Sequence, residues 1–66
     1  MEYSVVVNNV EVVRVSGDEA AWNKFQQSWD LVRLLMADGS HKEAWAELRL
    51  PNGDAVARFD ENGLNT

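Results

Sequence analysis

The chain has 66 residues, no Cys, one His, and six basic against eleven acidic side chains, for a formal charge of -5. That length holds one domain, and the 45% apolar content is too high for a disordered chain. The lack of Cys excludes a disulfide scaffold and a thiolate metal site, and the short apolar runs exclude a membrane span, while scattered basic residues and a negative net charge argue against a phosphate-binding surface.

The first segment, Tyr3 to Val15, holds seven valines in eleven positions from Val5 onward, which favours strand. Neither face is clean if it is read as one strand. A two-residue turn at Asn8-Asn9 resolves the phase, since Asn tolerates positive φ. Val7 then faces Val10, Val5 faces Val12 and Tyr3 faces Arg14.

Ser16-Gly17-Asp18-Glu19 reads as a capping box, with Ser16 and Glu19 bonding each other's amides. The helix is expected from about Gly17 to Ala37, ended by Asp38-Gly39. Trp22, Phe25, Trp29, Val32 and Met36 form its apolar stripe. Leu31 and Leu34 lie off that stripe as a smaller patch, which Leu64 could cover.

Lys42 to Leu50 and Asp54 to Asp60 alternate with period two and read as a second hairpin. Pro51 cannot donate the closing amide bond, so the turn should be type I with Gly53 left-handed. Leu50 then closes on Asp54, Leu48 faces Val56, Glu47 faces Ala57 and Trp45 faces Phe59. Residues 61–66 are expected to be a frayed tail after a compact domain of residues 1–60.

The expected fold is α+β, in the order ββαββ: an antiparallel sheet of two hairpins with one long helix across one face. In this register Tyr3, Val5, Val7, Val10, Val12, Ala44, Ala46, Leu48, Leu50 and Val56 meet the helix. Val6, Val13 and Val15 share the other face with Trp45, Ala55, Ala57 and Phe59. One helix cannot cover both faces, and exposed apolar area marks an interface. The expected partner surface is therefore Trp45 and Phe59, flanked by Glu47, Arg49 and Arg58, with Val13 and Val15 beside them. A homodimer is the first expectation. Asp30, Glu43 and Asp54 form an expected acidic surface, with Glu47, for a basic partner protein.

Catalytic chemistry is not expected. His41 lies in a Gly39-Ser40-His41-Lys42 loop beside a cation, and the serines lack an evident base. Asp18/Glu19 and Asp60/Glu61 sit where nothing desolvates them. Asp60-Glu61-Asn62-Gly63 lacks the spacing of a calcium loop, and the four glycines are isolated. The N-terminus lacks the pattern of a signal peptide, so a cytoplasmic protein is expected, with no cofactor, no direct nucleic-acid contact and no membrane. The sequence thus reads as a small acidic, non-enzymatic protein–protein interaction module. Its size and charge suit an inhibitor or adaptor of a host protein carried by a phage or mobile element.

Trp45-Ala46-Glu47-Leu48, on a strand after a long helix, resembles dodecins, small flavin-storing shells that stack a Trp on the ring. The likeness spans Glu11 to Phe59 and implies, as the alternative, a flavin-binding homo-oligomer. The first hairpin and the Pro51-Asn52-Gly53 turn depart from the dodecin pattern.

Overall fold

The computed structural model describes residues 1–39 and 43–65. His41, expected in a solvated loop, lies outside the described residues, as do Ser40, Thr66 and Lys42, the expected start of the second hairpin. The elements are β1 (Glu2–Val7), β2 (Val10–Ser16), α1 (Asp18–Ala37), β3 (Ala46–Arg49), β4 (Ala55–Asp60) and β5 (Gly63–Asn65). All strand pairs are antiparallel, in one five-stranded sheet of order β2-β1-β3-β4-β5. The α+β class and the helix laid on the sheet are as the sequence leads one to expect. The β1–β3 contact joins the two hairpins into one sheet.

Both turns follow their local chemistry. Asn8 and Asn9 take φ of 48° and 70°. Leu50 donates its amide to the Asp54 carbonyl at 2.9 Å, and Gly53 is left-handed at φ 94°. Register then departs from expectation in the same way in each hairpin. Val7 pairs with Val10 and Val6 with Glu11, but Val5 pairs with Val13, so Val12 bulges out. Arg49 pairs with Ala55, but Leu48 pairs with Ala57, so Val56 bulges out. Because side chains alternate with period two, each extra residue sends everything beyond it to the opposite face.

The bulges therefore correct the expected faces. Val13, Val15 and Phe59 pack toward the helix instead of joining an outer interface, and Ala57 is buried with them. Val10, Val12 and Val56, expected to face the helix, stay exposed. The core consists of Val5, Val7, Ala44, Ala46, Leu48 and Ala57 from the sheet side, under Ala21, Phe25 and Val32 of α1. Trp29 stacks on Phe59 with ring centroids 4.6 Å apart and planes 9° from parallel. Phe25 meets Trp29 edge-on at 5.6 Å. Such pairs add about 0.5–1.5 kcal/mol each beyond area burial.

Two end details also differ. Ser16 belongs to β2 and pairs with Glu2, so the capping box does not form. Gly17 occupies the cap position without a side-chain cap, and its amide donates to the Met1 carbonyl at 3.1 Å. Residues 63–65, expected to fray, pair with β4 as β5. No described helix is long and apolar enough to cross a membrane.

Candidate functional site: the outer face of the sheet

The sheet face away from α1 is organised by charge. Cross-strand pairing sets Glu47 beside Arg58, and Arg49 follows two residues along β3 on the same side. Glu47 divides its carboxylate between them: Arg49 Nη2 lies 2.7 Å from Oε1 and Arg58 Nη1 lies 3.0 Å from Oε2. Arg58 Nε also reaches Asp60 Oδ2 at 3.1 Å. The Glu47 and Asp60 side chains are only 14% and 12% exposed, so these pairs lose less to solvent than open surface pairs do.

Trp45 lies at the end of this network. The Arg58 guanidinium sits 4.8 Å from its ring centroid and that of Arg49 sits 5.8 Å away. Both are within cation–π range. Trp45 itself is anchored by Asn8. Its amide donates to Asn8 Oδ1 at 2.9 Å, and its carbonyl accepts the Asn8 amide at 3.0 Å. The left-handed turn thus sets the position of the indole's backbone.

A second cluster occupies the same face on β1 and β2. Glu11 accepts from the Ser4 hydroxyl at 2.7 Å and from Arg14 Nη2 at 3.1 Å. Glu2 lies 3.7 Å from Arg14 Nε. The Ser4 and Arg14 bonds hold the Glu11 carboxyl below its ordinary range. Asp60 is likewise lowered, first by the Asn62 amide and then by Arg58. Between the two clusters lies an open concavity of about 310 Å³, lined by Ser4, Val6, Glu11, Arg14, Arg49 and Pro51 among others.

Chemically this face is suited to recognition. Its lowered carboxylates are poor proton carriers near neutral pH. Among the described residues no group of three or more His, Cys, Asp or Glu is placed to hold a metal. What it presents is a flat indole and three guanidiniums with fixed directions. Four of the eleven acidic and three of the six basic side chains lie here, so the face is nearly neutral and the remainder of the chain carries most of the charge of -5.

Of the expected partner residues, the structure brings together Trp45, Glu47, Arg49 and Arg58. Phe59, Val13 and Val15 are withdrawn to the helix side by the bulges. The expected acidic surface does not form one patch. Asp30 is on α1 beside Arg33, Glu43 precedes β3, and Asp54 lies in the turn at the strand's other end. Sequence reasoning missed Ser4, Glu11 and Arg14 as a site, because Arg14 reaches this face opposite Ser4 only through the Val12 bulge, and the cluster lies beside the Glu47 network only through the β1–β3 pairing. Comparison with protein-family models, curated proteins and solved structures finds no match to this chain.

Proposed function

We propose that this chain is a small non-enzymatic protein–protein interaction module, acting as an inhibitor or adaptor that covers a partner's surface. The outer sheet face centred on Trp45 is its binding surface. The observation that carries this reading is the Trp45–Arg58–Glu47–Arg49 arrangement, in which two guanidiniums are held against an indole by a largely buried carboxylate. Trp and Arg are the side chains most enriched where a few residues supply most of the binding energy. Their ordering cost is largely met before any partner arrives, which favours affinity. The adjoining concavity with Arg14 and Arg49 suits a protruding polar or acidic side chain of the partner.

The test is capture from a native lysate with wild type beside Trp45→Ala, Glu47→Gln and the helix-surface control Gln26→Glu, at an exposed position of α1. The reading expects a stoichiometric protein captured by wild type and by the control, with capture weakened at least about tenfold by Trp45→Ala. A partner retained equally by all four proteins would place the binding surface elsewhere.

A further inference from the structure

We infer that a second copy of this chain docks along the open edge of β2, forming a symmetric dimer on a surface that borders the Trp45 face and shares Glu11 and Arg14 with it but leaves Trp45 itself free. The sheet order leaves β2 as one edge and the three-residue β5 as the other. β2 is seven residues long and carries neither Lys nor Pro, two residue types that commonly guard an edge. Its guard is the bulge at Val12. Val10 and Val12 are 61% and 48% exposed, an unusual outlay of β-branched surface for a domain this small.

The helix adds a second apolar strip on the same side. The Trp29–Phe59 stack turns one flank of α1 toward β4. At about 100° per residue, Leu31 lies about 200° from Trp29, on the flank that faces the β2 side. Leu31 is 40% exposed and Leu34, near the top of the helix, is 66% exposed.

The occupant is identified by self-complementarity. A two-fold interface needs a patch that matches itself. Antiparallel pairing of two β2 edges about an axis between residues 12 and 13 sets Val10 against Val15 and Val12 against Val13. It also sets Glu11 of each copy against Arg14 of the other. Glu11 and Arg14, the only charged residues of the strand and already joined within each chain at 3.1 Å, thereby close into a cluster of four alternating charges across the axis, where both bulges meet. An axis perpendicular to the sheet keeps both helices on one side, so their Leu31 flanks approach each other above the junction. Other antiparallel registers do worse: centring the pair on Arg14 would oppose two guanidiniums.

The experiment is sedimentation equilibrium of the full chain as wild type, Arg14→Glu, the exchange Glu11→Arg with Arg14→Glu, Val12→Lys and Trp45→Ala, with circular dichroism as the folding control. The dimer expects twice the 7.4 kDa chain mass for wild type. Dissociation should become at least about tenfold easier for Arg14→Glu and for Val12→Lys, and be restored by the exchange. Trp45→Ala should leave the mass unchanged, which separates this dimer from the partner surface proposed above. A wild-type monomer at all concentrations would overturn the inference. So would a dimer indifferent to Arg14→Glu and Val12→Lys but broken by Trp45→Ala.

Discussion

Asn8 links backbone conformation to the placement of the candidate site. Its φ of 48° lets the hairpin reverse, and its amide and side-chain oxygen both bond the backbone of Trp45. Asn8→Ala should lower the unfolding free energy in urea by about 2 kcal/mol, combining left-handed strain with a lost hydrogen bond. Asn8→Gly should lose less, because glycine adopts the same φ freely. A loss equal to or greater than that of Asn8→Ala would contradict this account. Glu11 and Asp60 give the residue scale its pH dependence. Both carboxyls sit below their ordinary range in the folded chain, so the unfolded chain binds protons more readily as the solution is acidified. Their stabilisation is fully present above the ordinary carboxylate range and drains away as pH falls through their lowered values. The melting temperature should therefore hold from neutral pH down to about pH 5 and then fall toward pH 3. Asp60→Asn should flatten part of that fall, and an unchanged slope would show that the Asn62 and Arg58 bonds do not matter in solution.

At the scale of elements, the helix was the most legible, because a 20-residue segment with an aromatic stripe at 3.6-residue spacing has one sensible reading. Both turns were legible from Asn8-Asn9 and Pro51-Asn52-Gly53, whose backbone requirements are local. The bulges were not. In β1 and β2 there is a valine available on either phase, so the alternation that should detect a slip is degenerate. In β4, Ala55, Val56, Ala57 and Phe59 again offer apolar side chains to both faces. β5 has too little pattern of its own to be read. It forms where Gly63 takes φ 95° and the open edge of β4 receives Leu64 beside Phe59. The bulge assignments carry their own test. Val56→Thr should change stability by no more than about 0.5 kcal/mol, as an exposed site does. Val5→Thr should cost about 1–3 kcal/mol by burying a hydroxyl in the core. Thermal melts that showed equal costs would place Val56 inside the molecule.

For the molecule as a whole, one helix suffices to cover the apolar side of the sheet because the bulges gather Val13, Val15, Ala57 and Phe59 onto that side. The sequence alone suggested two apolar faces and a forced partner. The fold instead leaves an outer face of paired charges with one indole held among arginines, so the case for binding rests on how that face is organised. The part of the candidate site readable from sequence was the β3–β4 portion, where Trp45, Glu47, Arg49 and Arg58 were already singled out. The Arg14 cluster was not readable, because Arg14 reaches the outer face only through the Val12 bulge. The two-dimensional NOE spectrum tests the central claim most directly, by reporting which side chains share a face. The account predicts contacts of the Phe59 ring with Trp29, and cross-strand contacts of Ala46 with Phe59 and of Val5 with Val13. Direct cross-strand contacts of Trp45 with Phe59 and of Val5 with Val12, with Phe59 remote from Trp29, would contradict it.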